Sequence, residues 1–196
     1  MKIFALMPWA DWLALLAFFG LWVGYAWFAR GRGLREQTLL ATTNQLRQQW
    51  MVQATARDPR MLDGLITQNL SSTPSFFCST TIIIIGGLFA LLGTTDKAAE
   101  LVREIPFAQQ TPLMVFEFKI LVLVGVFVYA FFRFTWAMRQ YTFVALVIGA
   151  MPPAREFEAG LHDRQQHARR AGVMVGTAAE TFNDGLRAYY FSFAAM

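Results

Sequence analysis

The sequence is poor in the residues from which metal, redox and nucleophilic sites are built. It contains one cysteine, Cys78, and two histidines, His162 and His167. A single cysteine excludes an intrachain disulfide and a multi-cysteine metal site. The two histidines are five positions apart, so they do not share a helix face as zinc-binding pairs at i and i+4 do. We therefore expect no metal, no cofactor and no enzymatic activity.

Charge is scarce as well. Charged residues make up 15% of the 196 residues and hydrophobic residues 56%, and the mean hydropathy is +0.38. Soluble domains carry about 25% charged residues. The net charge of +4 does not indicate a nucleic-acid partner, because the basic residues flank apolar runs, as the positive-inside rule requires. The composition predicts one all-α, polytopic membrane domain over residues 1–196, with the lipid bilayer as its partner.

The longest uncharged run is Pro74–Leu92, PSFFCSTTIIIIGGLFALL. As a helix rising about 1.5 Å per residue, it matches a hydrocarbon core of about 30 Å. Its β-branched residues would suit a buried strand in water, but a single strand cannot satisfy its own backbone in lipid. Ser72 and Thr73 can cap a helix that begins at Pro74. The run predicts a membrane span over residues 74–93.

Small and hydroxyl residues recur near one face of this span. The candidate set is Ser75, Ser79, Thr80, Gly86 and Ala90. Such a stripe allows close helix packing, and its hydroxyls can also line a path for ions without carrying charge. A packing face and a pore wall both remain open.

Two further spans are predicted. The first covers residues 4–28, with aromatic residues at both ends. It contains Gly20 and Gly24 in a small-xxx-small motif, which predicts helix packing. The other span covers residues 113–133, after Pro112 and before an aromatic cluster. A fourth span at the C-terminus is an open alternative.

The polar segments set the predicted orientation. Residues 30–73 are rich in arginine and are predicted to be cytoplasmic, which places the N-terminus outside. They are predicted to form two amphipathic helices, with inward faces composed of Leu39, Leu46 and Trp50 in the first and Leu62, Leu65, Ile66 and Asn69 in the second. Residues 94–111 lack a basic excess, so we expect an external loop.

Residues 134–196 are predicted to be long cytoplasmic helices leading to the optional further span. The apolar run 141–151 is too short to cross a bilayer. We expect it to extend the third helix into the cytoplasmic layer. The last helix carries apolar residues at helical spacing from Val175 to Phe193.

Three charges fall inside or beside predicted spans: Asp11, Glu117 and Lys119. Charges in a span are costly and normally pair or face water. Glu117 and Lys119 cannot easily pair with each other, because positions i and i+2 point in different directions on a helix. Asp11–Lys119 is a candidate bridge. Anchoring at the outer interface and a role in permeation are both open.

Several stretches together resemble a known family. They include ATTNQLRQQWM, RDPRMLDGLITQNLSSTPSFF and STTIIIIGGLFALLG, and the sequence resembles the bacterial membrane-protein family catalogued as domain of unknown function five-ninety-nine. The resemblance implies a small, multi-helix protein of the bacterial inner membrane. It also implies a further span after Phe193, and it supplies no functional residues.

Two functions fit these observations. The first is a homo-oligomeric channel or transport protein in which span two lines the path. The alternative is a scaffold or accessory subunit of a larger membrane complex, in which the small residues only pack helices. We expect homo-oligomerisation, because a monomer with three or four spans leaves its small-residue stripes without partners.

Overall fold

The computed structural model describes residues 9–33, 39–94 and 112–194. Every regular element in these ranges is an α-helix, so the all-α prediction is confirmed for them. In chain order the helices are α1 (Trp9–Gly33), α2 (Leu39–Ala54), α3 (Met61–Gly93), α4 (Leu113–Gly149), α5 (Ala154–Glu158) and α6 (Arg164–Ala194). Except for Thr94, the predicted external loop 94–111 lies outside the described residues.

Two of these helices, α3 and α4, are long and apolar enough to cross a membrane. With 33 and 37 residues, they extend for about 50 and 55 Å, well beyond a hydrocarbon core of about 30 Å. The apolar part of α1, Trp12–Phe28, is shorter. The structure therefore supplies two candidate spans where the sequence predicts three, and the first span stays a prediction.

The helix start predicted at Pro74 is wrong, because Pro74 lies inside one continuous helix, α3. The Ser72 hydroxyl caps no helix start; it donates to the Asn69 carbonyl within α3. Proline in a helix interior costs about 3 kcal/mol. This cost is offset by packing, since Pro74 is fully buried.

Helix α4 forms the centre of the bundle, with α3 and α6 packed along it. Three groups of buried apolar residues mark its length. Near the end of α4 the group is Met51, Val144, Ile148, Met151, Ala168, Ala171 and Val175. The middle group is Val126, Ala130, Phe134 and Ala188, and the group near the start of α4 is Leu88, Ile120, Val124 and Phe127. Helix α6 therefore runs antiparallel to α4.

Small residues bring α6 close to its neighbours. Ala171, Val175 and Ala178 are fully buried. Of the apolar face predicted for the last helix, Val175 and Ala178 are therefore buried, whereas Phe193 is 47% exposed. At Gly185 an added Cβ would lie 2.7 Å from Cε1 of Phe134, and at Gly172 it would lie 2.5 Å from Oε1 of Gln48. Rather than lying apart from the candidate spans, α6 packs lengthwise against α4.

The chain turns sharply between α5 and α6. Gly160 has a φ of 71°, a left-handed conformation that glycine adopts without strain. Its N–H donates to the Phe157 carbonyl, and the Leu161 N–H donates to the Glu156 carbonyl, which is the Schellman pattern that ends a helix. The Asp163 carboxylate then accepts from the Gln166 N–H and caps α6.

The inward faces predicted for the two amphipathic helices are wrong in part. Leu46, Leu62 and Leu65 are exposed, and the Leu39 side chain lies outside the described residues. On the first turns of α3 the buried residues are Asp63 and Thr67. Hydrophobic spacing selected the wrong face because this surface of α3 is buried by a polar network, described below.

Candidate functional site

The predicted stripe lies on the surface of α3. Ser79, Gly86 and Ala90 are exposed, while Ser75 and Thr80 are half-buried. The opposite face of α3, including Thr81 and Leu88, is buried, with Leu88 packed against α4. Three of the five stripe residues are therefore open on the surface of the described chain, and an added Cβ at Gly86 would meet no atom within 4 Å.

The hydroxyl groups of the stripe bond to their own helix. Ser79 donates to the Ser75 carbonyl at 3.1 Å, and Thr80 approaches the carbonyls of Phe76 and Phe77 at 3.2 and 3.1 Å. A hydroxyl that donates to its own backbone still has lone pairs that can accept hydrogen bonds or approach a cation. These groups can thus face lipid, a neighbouring helix or water without leaving a donor unsatisfied.

A polar network joins α2 to the first turn of α3. Asp63 has no exposed surface, and its Oδ1 accepts from Trp50 Nε1 and Arg57 Nη1, each at 2.7 Å. Thr67 donates to the Asp63 carbonyl at 2.8 Å. The second carboxylate oxygen, Oδ2, is buried without a hydrogen-bond partner. One carboxylate therefore connects the end of α2 and the following turn to the first turn of α3.

Arg60 binds the chain between α4 and α5. Its Nε donates to the Ala54 carbonyl at 2.9 Å, and its two terminal nitrogens donate to the carbonyls of Met151 and Pro152 at 3.2 and 2.6 Å. The planar guanidinium fork suits such a set of acceptors. Arg60 thereby ties the end of α2 to the end of α4.

A second charged cluster lies between α4 and α6. Asp184 bonds to Arg133 from α4 and, at 3.0 Å, to Arg187 one turn along α6. Asp184 is nearly buried, and both arginines are partly exposed. The Arg133 Nε is buried without a partner. Arg133, at the inner end of the predicted span 113–133, therefore forms a cross-helix ion pair with Asp184.

The comparisons with known proteins place this helical bundle in a family. The sequence model of DUF599, described as a protein of unknown function, matches residues 13–196. The chain belongs to the DUF599 family. No curated protein and no solved structure matches it. The match covers nearly all of the described bundle, so every site above lies in the DUF599 region.

Glu117 and Lys119, two of the charges predicted within the spans, do not pair with each other in the described part of this DUF599 member. Glu117 is half-buried and Lys119 is exposed. The side chain of Asp11 lies outside the described residues, so the Asp11–Lys119 bridge stays a prediction.

Gly20 and Gly24 lie on the open surface of α1. A Cβ added at either glycine would have no atom within 4 Å among the described residues. The helix packing predicted for this motif is thus not used within the described DUF599 chain. It stays a prediction for contacts with other chains.

The two histidines lie in the turn before α6 and at its start. Their rings are 5.8 Å apart, and His162 Nε2 lies 3.2 Å from the Glu156 carboxylate. No group of three or more histidine, cysteine or acidic side chains suited to a metal occurs in the described ranges.

Sequence reasoning missed both polar networks. Trp50 and Asp63 are 13 positions apart and belong to different helices, and Arg133 and Asp184 are 51 apart. No local spacing connects such residues. The one available signal was Asp63 itself, an acidic residue in the first turn after a proline, where it favours the helix N-terminus.

Proposed function

We propose that this DUF599 member is an integral membrane protein that assembles as a homo-oligomer through the stripe on α3 and forms a transport path there. The observation that carries the proposal is the exposure of the stripe in the most apolar stretch of α3. Only 11% of that stretch is buried within the chain, against 33% for α4. A second copy of the chain would supply the missing contacts.

Exposed apolar side chains support the membrane assignment. Large hydrophobic residues are exposed along both long helices, among them Phe76, Ile83, Phe89, Leu121 and Phe132. Soluble monomers rarely expose contiguous apolar patches of more than a few hundred Å². Lipid would cover these side chains, and α1 would provide the third span. The arginine-rich segment 30–73 would face the cytoplasm of a bacterial cell, with the N-terminus outside the inner membrane.

The composition of the stripe supports assembly over simple exposure to lipid. Lipid tails are as apolar as leucine, so helix association in a membrane depends on small residues that let backbones approach. Gly86 has no atom within 4 Å of an added Cβ, which leaves room for a neighbouring helix. Around a symmetry axis, the Ser79 hydroxyls would form an uncharged ring of oxygens. Such a ring can replace part of the hydration shell of a permeating ion.

A scaffold or accessory subunit of a larger complex is the second candidate. Ile82 and Ile83 are exposed beside the stripe, and no charged residue lies between Ser75 and Gly93 on α3. An apolar, uncharged face of this kind suits contact with an unrelated membrane helix. The two candidates differ in what binds the stripe.

Cysteine cross-linking tests which partner occupies the stripe. Gly86→Cys is made in a Cys78→Ser background, because Cys78 is one turn from the stripe and its sulfur contacts Thr135 at 3.4 Å. Leu121→Cys is the matched control, since it is 51% exposed on α4 at the level of Leu88. We expect a disulfide-linked dimer for Gly86→Cys in native membranes and far less for the control.

The mass of the complex and ion flux complete the test. A homo-oligomeric mass in lipid nanodiscs, with K⁺ or Cl⁻ flux in liposomes that Gly86→Phe suppresses, would support the transport path. A monomeric mass with equal cross-linking at both positions would refute assembly through the stripe. An oligomer without flux would refute the path, and co-purification of unrelated subunits in fixed ratio would favour the accessory role.

A further inference from the structure

A cavity of about 410 Å³ lies where α2, α3, α4 and α6 meet. Its polar lining consists of one cation, two amides and two hydroxyls: Arg47, Asn69, Thr73, Tyr141 and Asn183. Apolar side chains of α3 and α6 form the rest of the wall, and no carboxylate lines it. Small-molecule sites have volumes of roughly 300 to 1,000 Å³ and a few convergent polar groups. The cavity matches this description in its volume and in its few polar lining groups.

Arg47 brings a positive charge to the cavity without an acidic partner. Its side chain is half-buried, and its Nη1 donates to Asn44 Oδ1 at 2.6 Å and approaches Thr43 Oγ1 at 3.4 Å. Both acceptors belong to α2 itself and both are neutral. No carboxylate in the described ranges forms an ion pair with Arg47. By contrast, Arg57, Arg60, Arg133 and Arg187 each have an acidic partner.

Tyr141 brings a hydroxyl group to the cavity. The residue is only 3% exposed, and its hydroxyl has no hydrogen-bond partner among the described residues. The hydroxyl oxygen is not one of the buried polar atoms that lack a partner, so it is open to the cavity and free to bond to a ligand there. The hydroxyl borders the cavity and lies within reach of the Arg47 charge. A bound oxygen atom would satisfy both groups.

We propose that this cavity binds an oxyanion, a carboxylate or phosphate group carried by a small molecule or by a lipid. Arg47 would hold it through its guanidinium fork, and the Tyr141 hydroxyl would donate a hydrogen bond to it. The amides of Asn69 and Asn183 and the Thr73 hydroxyl can donate further bonds. The apolar wall would contact the carbon part of the ligand.

The position of the cavity allows the oxyanion to come from either of two sources, the aqueous solution or the lipid headgroups. Tyr141 follows Arg133 by eight residues, about 12 Å along α4 at 1.5 Å per residue. If Arg133 marks the inner interface, the cavity lies on the aqueous side of it, where a free anion arrives from solution and a lipid headgroup arrives from the bilayer surface. All of the lining belongs to one chain, so the site does not depend on assembly through the stripe on α3.

Ligand-dependent thermal stability tests the proposal on the purified full-length protein. Inorganic phosphate and succinate serve as soluble probes, each compared with chloride at equal ionic strength. For the lipid arm, the protein is placed in nanodiscs of zwitterionic lipid with or without an anionic phospholipid. We expect a saturable rise in unfolding temperature with at least one oxyanion probe.

Three variants locate the effect. Arg47→Gln should abolish the rise, and Tyr141→Phe, which removes one oxygen atom, should weaken the apparent affinity about tenfold, as expected for one hydrogen bond to a charged group. Tyr141→Phe should leave the ligand-free protein as stable as the unmodified one, because the hydroxyl has no partner to lose. Arg170→Gln changes an exposed arginine on α6 and should behave as the unmodified protein.

The outcomes show whether the cavity binds an oxyanion and, if it does, whether the oxyanion comes from solution or from a lipid. A rise with phosphate or succinate that Arg47→Gln abolishes supports a soluble anion. A rise confined to anionic nanodiscs and lost in Arg47→Gln supports a lipid headgroup. The proposal is wrong if no probe raises the unfolding temperature. It is also wrong if the rise in Arg47→Gln and in Tyr141→Phe equals the rise in the unmodified protein. The Tyr141→Phe result stands even if Arg47→Gln fails to fold.

Discussion

Replacing Asp63 by alanine tests whether the buried carboxylate holds α2 against α3. The change removes the acceptor shared by the Trp50 indole and the Arg57 guanidinium, both at 2.7 Å. In the described residues the Trp50 indole has no other hydrogen bond, whereas Arg57 Nη2 keeps a bond to Gln53 at 2.8 Å. We therefore expect Asp63→Ala to loosen the connection between the helices and to lower the unfolding temperature of the whole bundle.

The magnitude follows from burial. Breaking a buried ion pair by removing one partner costs about 3 to 5 kcal/mol. The Arg57 side chain is 33% exposed, so water compensates part of its charge, and we expect about 2 to 3 kcal/mol. For a chain of this size, each kcal/mol shifts the unfolding temperature by roughly 2–4 °C. The expected decrease is therefore roughly 4–12 °C.

Two further variants make the measurement specific. Asp63→Asn keeps an oxygen acceptor of the same shape and should lose only about 1 kcal/mol. Glu180→Ala changes an exposed acidic residue on α6 and should stay within about 0.5 kcal/mol of the unmodified chain. Thermal unfolding in mild detergent gives the global effect, and hydrogen exchange of residues 55–60 gives the local one. If Asp63→Ala and Glu180→Ala unfold within 1 °C of each other, the reasoning is wrong.

Two other substitutions test the contact between α4 and α6. Gly185→Ala places a Cβ 2.7 Å from the buried Phe134 ring, so we expect a loss of about 1 to 3 kcal/mol in thermal unfolding. Gly125→Ala, where the added Cβ meets nothing within 4 Å, is its control, and equal effects would contradict close packing at Gly185. Asp184→Ala leaves the Arg133 guanidinium without its carboxylate, and because the two arginines of the cluster are partly exposed, we expect about 1 to 3 kcal/mol. Chemical denaturation checks this loss, and restoration by Arg133→Leu in the same chain would show that the unpaired charge is its cause.

The helices themselves could be predicted from the sequence because their signals are local. The uncharged run after Pro74 and the apolar run after Pro112 each supply the hydrophobicity and length that a long helix needs. The extension of α4 to Gly149 was expected for the same reason. The continuity of α3 through Pro74 could not be predicted, because it depends on contacts with α4 and α6 that compensate for the lost backbone hydrogen bond.

The sites were less predictable than the helices. Helical spacing relates Ser79, Gly86 and Ala90, which are all exposed on α3, since their relation depends on periodicity alone. Periodicity also favoured Leu62 and Leu65 as inward residues, and both are exposed. Which face of a helix is buried depends on the partners it finds, and at Asp63 those partners come from another helix.

Helix α3 connects three features that the sequence presents as separate. Asp63 fixes its first turn, Asn69 and Thr73 line the cavity, and the stripe begins at Ser75. From Asn69 to Gly86 the rise is about 26 Å at 1.5 Å per residue. Because the helix is continuous and Pro74 is buried by its neighbours, a rotation or tilt at the cavity must move the stripe as well. The Asp63 network limits that motion at one end, so loosening it should change the geometry of the stripe even though no residue of the network touches it.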